Sequence, residues 1–194
     1  IDDCSTEGTW DIIQMYARKD PRIISAKNEK NLGIAGNRNK SVGLAIGKYI
    51  AWQDADDISL PTRIQKQFEF MEAHPKVGMV GGWLQFFSDD GKSSGIRKYC
   101  GTDMELRKKI FRYSPVAQPA AMIRKQCLDE VGEYNLKYPP AEDIDMSFRI
   151  GRKYQFANIQ ETVARYREHA DSATFKHLKK IELNTIEINN IYVV

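Results

Sequence analysis

At 194 residues, with 42% hydrophobic and 10% aromatic residues, the chain is long enough to bury a substantial core and is globular rather than disordered. Its 29 Lys and Arg nearly balance 26 Asp and Glu, and the basic residues are scattered, which excludes a nucleic-acid-binding stripe. No apolar run approaches the roughly 20 residues of a membrane span, and Cys4, Cys100 and Cys127 are too widely spaced for a metal knuckle or disulfide framework, pointing to reduced thiols and a cytoplasmic setting.

The opening "IDDCSTEGTW" holds a turn that ordinarily follows a strand, of which only Ile1 remains, so a first strand and helix are expected to be missing. "TWDIIQMYARKD" (9–20) places Trp10, Ile13 and Ala17 on one face and predicts an amphipathic helix. After Pro21, "RIISA" (22–26) reads as a short strand, and "GIAGNRNKSVGLAIG" (33–47) as a glycine-rich helix. "KYIAWQ" (48–53) reads as a buried strand. Pro61 opens a helix with Ile64, Phe68 and Met71 along one side, closed by His74-Pro75. "VGMVGGWLQFF" (77–87) is extended, "DDGK" (89–92) is a turn, and 103–111 is helical. "PAAMI" (119–123) predicts a strand, "KQCLDEVG" and "AEDIDMSFRIGRK" predict helices, and "ETVARYREH" (161–169) is extended. The tail from Phe175 has helical periodicity, and its basic cluster "HLKKIE" (177–182) reads as the wet face of a helix. Alternation of strands and helices, without repeat or linker, predicts one α/β domain with a mostly parallel central sheet flanked by helices.

The chemistry concentrates in carboxylates. In "WQDADDIS" (52–59) three of them follow a strand within four positions. In an extended chain Asp54 and Asp56 point the same way, about 6–7 Å apart. Two hard oxygen ligands at a strand's open end suit Mg²⁺ or Mn²⁺, which complete their shells with water and substrate phosphates. A solvated acidic loop capping the next helix accounts for the same residues. A phosphatase Asp-x-Asp loop would want Thr or Val where Ile58 stands, and an EF-hand loop would want Gly at Ser59. In "PPAEDIDMSFRI" (139–150), Asp143 shares a face with Met146 and Ile150 and so turns towards the body of the protein. Glu142, Asp145 and Arg149 lie on the adjoining side, where Asp145 and Arg149 can pair at i, i+4. An ionised carboxylate there can accept a proton from a substrate hydroxyl, and equally serves to favour a helix N-terminus. Val163, Arg165, Arg167 and His169 alternate onto one face, and a histidine so placed suits a metal or a phosphate as well as plain solvent.

Taken together, "IDDCSTEGT", "NLGIAGNRNKSVGLAIGKYIAWQDADDISLPTRIQKQ", "AAMIRKQCLDEVGEYN" and "AEDIDMSFRI" resemble, in order and spacing, the motifs of the family 2 inverting glycosyltransferases of GT-A fold. The resemblance runs to about residue 175. It implies a nucleotide-sugar-binding part over 1–100, an acceptor and catalytic part over 101–175 and a helical tail over 176–194. It implies that Asp3, with Asp2 beside it, bonds the nucleotide base, that Arg38 lies against the base or diphosphate, and that Asp54 faces the ribose. Asp56 and His169 would hold Mn²⁺ or Mg²⁺, and Asp143 would be the general base, with Glu142 and Arg149 supporting the acceptor side. The implied partners are a nucleotide-sugar donor, UDP-linked, and a glycan or lipid-linked acceptor, the latter compatible with peripheral association at the inner membrane face. Cys4 stands where the family has Gly and Glu7 where Asp is common; the processive Gln-x-x-Arg-Trp signature is absent, so repeated polymer extension is not expected. A sugar nucleotidyltransferase, sharing a similar sheet, would want a glycine-rich loop that this sequence lacks; an inactive, truncated nucleotide-binding relative is the non-enzymatic alternative.

Overall fold

The computed structural model describes residues 1–170 and 172–192, and the chain divides into two compact units, Ile1–Ala45 and Ile46–Val194. In the first, α1 (Thr9–Lys19) has Asp11 in its first turn and Arg18 and Lys19 in its last, matching the helix dipole. Trp10, Ile13 and Ala17 form its half-buried side, as their spacing predicts. The strand expected at 22–26 is absent. That segment makes only a parallel bridge between Asp2 and Lys27, through Asp2 N–H to Ala26 O and Asn28 N–H to Asp2 O, each 2.9 Å. One bridge flanked by turn residues is too short a ladder to form a strand. α2 (Gly33–Leu44) follows, opening on Gly33 at φ +71°, a left-handed position that glycine occupies without steric cost.

The second unit is built on a six-stranded sheet of order β1-β5-β3-β6-β2, with β4 added to β3. Its strands are β1 (Tyr49–Ala51), β2 (Ile58–Ser59), β3 (Val77–Phe87), β4 (Ser93–Arg97), β5 (Met122–Arg124) and β6 (Gln155–Arg167). The sheet is mixed rather than mostly parallel: among the described pairings only β3 with β6 is parallel. The reason lies in the connections. Past the predicted turn at 89–92 the chain returns directly into β4, an antiparallel hairpin with β3. Between β3 and β6 lie α4 (Asp103–Arg107), α5 (Lys125–Val131) and α6 (Glu142–Gly151), enough chain for the crossover that a parallel pair requires.

β3 and β6 are the central pair. Gly82 of β3 lets β6 approach closely, since a Cβ there would lie 2.6 Å from Val163 Cγ1. One apolar cluster gathers Met71, Val77, Val80, Met122 and Ala157; a second gathers Leu84, Tyr99, Ala120, Val163 and Ala164. α3 (Arg63–Ala73) contributes Met71 to the first, but its buried side is Arg63, Gln67 and Met71, not Ile64 and Phe68, which stay about half exposed at 51% and 48%. Arg63 and Gln67 enter the core because carbonyls inside it need donors. Gln67 Nε2 donates to Ala120 O at 2.7 Å and Arg63 Nη2 to Trp52 O at 2.6 Å. A short 3-10 turn, Gln118–Ala120, leads into β5. The tail forms α7 (Ala173–Lys176) and α8 (Leu178–Tyr192), with positions 193 and 194 of the predicted helical tail outside the described residues.

Candidate active site

The acidic loop lies between β1 and β2, and the antiparallel register of β2 on β6 pairs Ile58 with Arg165. Continued two residues outward, that register sets Asp56 against Arg167. Arg167 N–H accordingly donates to Asp57 Oδ1 at 2.9 Å, and Arg167 Nε to Asp56 O at 3.1 Å. His169, just past the strand, then meets Asp56: Nε2 and Oδ2 are 2.9 Å apart across 113 positions of sequence. Asp56 keeps about half its side chain exposed, at 46%, and His169 a quarter, at 24%. The structure thus brings into contact the two residues that the family resemblance assigned to one cation.

Asp57 ties the loop to β6 through that Arg167 amide. Its Oδ2 is buried without a hydrogen-bond partner among the described residues, and burial, reinforced by the charges of Asp54 and Asp56, pushes its carboxyl up to about 6. Asp54 is half-buried, and its carbonyl accepts from Asp57 N–H at 3.3 Å and from Gln53 Nε2 at 3.0 Å, closing the loop into a turn. Beneath it sits Arg63, only 1% exposed, donating to Trp52 O, to Gln53 Oε1 at 3.1 Å and to Ser59 Oγ at 2.9 Å. Burial lowers its guanidinium to about 10, which leaves it charged at neutral pH. Sequence reasoning missed Arg63. The signal was its spacing of four from Gln67 and of eight from Met71, the same period by which Ile64 and Phe68 were chosen.

Arg165 and Arg167 do share a face, but their guanidiniums lie over Phe87, at 4.5 and 4.8 Å from the ring centroid, and Arg167 pairs with Asp89 at 3.1 Å. Arg165 Nη2 also donates to Gly91 O at 3.4 Å.

Asp143 stands in the first turn of α6, half-buried, on a cleft of about 370 Å³ shared with Phe86, Arg97, Tyr99, Tyr113 and Tyr166. Glu168, Ser172 and Thr174 from the segment carrying His169 line the same cleft. Ser147 Oγ donates to Asp143 O at 2.7 Å, fixing this turn. Glu142 and Asp145 are buried on the other side. Arg149 is a structural clamp: it bonds Asp145 Oδ2 through Nη2 at 2.8 Å, and Val131 O and Glu133 O at 2.8 Å each. Tyr192 Oη adds a bond to Asp145 Oδ1 at 3.0 Å.

Asp2, Asp3 and Arg38 belong to the unit 1–45. Asp3 accepts from Asn28 Nδ2 at 2.7 Å and from the amides of Leu32 and Gly33 at 2.8 and 2.9 Å, so its carboxylate caps the entry to α2. Asp2 is buried; hydrogen bonding from Ser5, with the attraction of Lys27 added, holds its carboxyl below the usual range. Arg38 is half-buried on α2.

For a divalent cation the donor set is one carboxylate oxygen and one imidazole nitrogen, both partly open to solvent. Among the described residues no group of three or more His, Cys, Asp or Glu side chains could hold a metal ion. Two protein donors nevertheless fit Mn²⁺ or Mg²⁺, whose shells are ordinarily completed by water and phosphate oxygens.

Residues 1–132 match the profile described as Glycosyl transferase family 2. The chain is 35% identical over 187 residues to an uncharacterized glycosyltransferase of Methanocaldococcus jannaschii, covering 94% of this chain and 63% of that protein. It is 33% identical to the Escherichia coli UDP-Glc:alpha-D-GlcNAc-diphosphoundecaprenol beta-1,3-glucosyltransferase WfaP, covering 93% of this chain and 68% of that one. The chain therefore spans somewhat under two thirds of the length of the archaeal relative. Among solved structures, S. aureus TarS 1-349 in complex with UDP-GlcNAc superposes with TM-score 0.72 at 17% identity, over 97% of this chain and 56% of that one. The mannosyltransferase PcManGT from Pyrobaculum calidifontis, in complex with GDP-Man and Mn²⁺, superposes with TM-score 0.68 at 17% identity, over 96% and 53%. At such identities the two structures speak for the fold. Among the described residues no helix is long and apolar enough to cross a membrane.

Proposed function

Because the chain belongs to glycosyl transferase family 2, with its GT-A fold, we propose that it transfers a sugar from a UDP-sugar to a hydroxyl of a glycan or lipid-linked acceptor, with inversion. The observation that carries this reading is the meeting of Asp56 with His169, on a segment whose neighbours line the Asp143 cleft. Asp56 and His169 are the residues that would hold Mn²⁺ or Mg²⁺. A cation bound there supplies positive charge against the departing diphosphate. Asp143 takes the proton of the acceptor hydroxyl as its oxygen bonds the anomeric carbon. The bond to the nucleoside diphosphate breaks on the opposite face, and its electron pair leaves with the diphosphate. Asp3 and Arg38 serve the nucleotide, Asp2 orders the turn that carries Asp3, and Asp54 faces the ribose. Glu142 and Arg149 support the acceptor side, Arg149 by tying α6 to the carbonyls of Val131 and Glu133. With a lipid-linked acceptor, the chain would work at a membrane surface.

The test pairs a transfer assay with calorimetric titration of UDP in the presence of Mn²⁺. Asp143→Asn should lower transfer by about 10²- to 10⁴-fold and leave UDP affinity unchanged, whereas Asp56→Ala should lose both. Transfer that survives both substitutions would sink the mechanism. Release of pyrophosphate from a sugar phosphate and a nucleoside triphosphate would indicate a nucleotidyltransferase instead.

A further inference from the structure

The Asp143 cleft contains a cation for which the mechanism above has no use. Arg97 ends β4 at the edge of the sheet, exposed, and lines both the cleft and the adjoining hollow on β4 beside Phe86 and Glu168. Its guanidinium carbon lies 5.3 Å from the centroid of Tyr99 and 5.7 Å from that of Tyr113. Among the described residues no carboxylate pairs with it and its guanidinium donates to no protein acceptor. Arg63, Arg107, Arg149 and Arg167 differ, since each donates to protein oxygens. Glu168, the other acid on the cleft, accepts instead from Ser94 Oγ at 2.5 Å.

Stacking on aromatic rings engages the face of a guanidinium and leaves its in-plane N–H groups for another partner. That fork matches two oxygens of a phosphate or carboxylate. The surrounding rings of Phe86, Tyr99, Tyr113, Tyr166 and Phe175 offer apolar faces to a sugar. We propose that Arg97 is a specificity-determining residue that recognises an anionic substituent, a phosphate or a carboxylate, on the acceptor sugar. The proposal rests on the reading that the Asp143 cleft receives the acceptor.

The test is an NMR titration of the whole chain, without nucleotide or metal, using methyl α-glucoside, α-glucose 1-phosphate and methyl β-glucuronide. At least one anionic probe should bind about tenfold or more tighter than the neutral one, the advantage expected of one charge-assisted contact. Amides of Arg97, Tyr99 and Tyr113 should shift, and the stronger of the two anionic arms identifies the group. Arg97→Gln should erase the advantage without changing affinity for the neutral glucoside, and Arg97→Lys should retain part of it. Equal affinity for all three probes, binding of none, shifts confined to other residues, or an advantage that survives Arg97→Gln would each overturn the proposal. No transfer is read, so failure of the transferase mechanism would show separately, in the Asp143→Asn assay.

Discussion

Cys4 adopts φ +67°, the left-handed region in which a side chain crowds the backbone and glycine does not. The sequence already set Cys4 apart as standing where related chains have Gly, and the backbone supplies the reason for that preference. The Cys4 side chain offers little in return, a 3.8 Å contact from Sγ to Glu29 O. Cys4→Gly should therefore stabilise the chain by about 0.5–1 kcal/mol, the relief of left-handed strain less the extra entropy of an unfolded glycine. Cys4→Ala, which keeps the strain, should be nearly neutral; urea denaturation of the three proteins checks both. Asp57 carries a similar lesson. Its sequence context shows a turn, while its tether to the Arg167 amide exists only once a strand more than a hundred positions away is in register.

At the scale of elements, α3 shows how far periodicity reads a helix and where it stops. Its limits and period were legible from Pro61 and His74, but the choice of face was not. Hydropathy favours Ile64 and Phe68, and the fold buries Arg63 and Gln67 because open carbonyls of Trp52 and Ala120 lie inside. Arg63 thereby fastens the acidic loop to the core from below. Replacing it with Met would keep bulk but strand several buried acceptors, so Arg63→Met should cost about 2–4 kcal/mol. It should also weaken UDP binding in Mn²⁺ by loosening the loop that carries Asp54 and Asp56. Chemical denaturation and calorimetry, run on the same variant, check the two effects.

Across the whole chain, burial is unevenly distributed. β3 and β6 pair over most of their lengths, with Gln160 and Glu161 left out of the ladder, and carry much of the apolar core, whereas α1 contains no fully buried residue. Amide hydrogen exchange should follow this, slowest in 79–84, 156–159 and 162–164 and fast in α1, because exchange tracks the cost of local opening. Equal protection of α1 and β3 would contradict that ranking.

The sequence by itself determined the α/β class, most helices, the family and the candidate residues, because periodicity, Pro and Gly punctuation and ordered motifs are local and survive without a third dimension. It pointed to a mostly parallel sheet and was wrong there, since a strand's own residues do not say which neighbour it will have; the connections do, and they made the sheet mixed. The resemblance put Asp56 and His169 on one metal, but the residues themselves gave no contact between them. Their 2.9 Å contact depends on β2 seating antiparallel on β6, a pairing set by register and core packing over long range. The placement of Arg97 likewise emerged only when β4 formed as a strand and brought it beside Tyr113 and the Asp143 cleft.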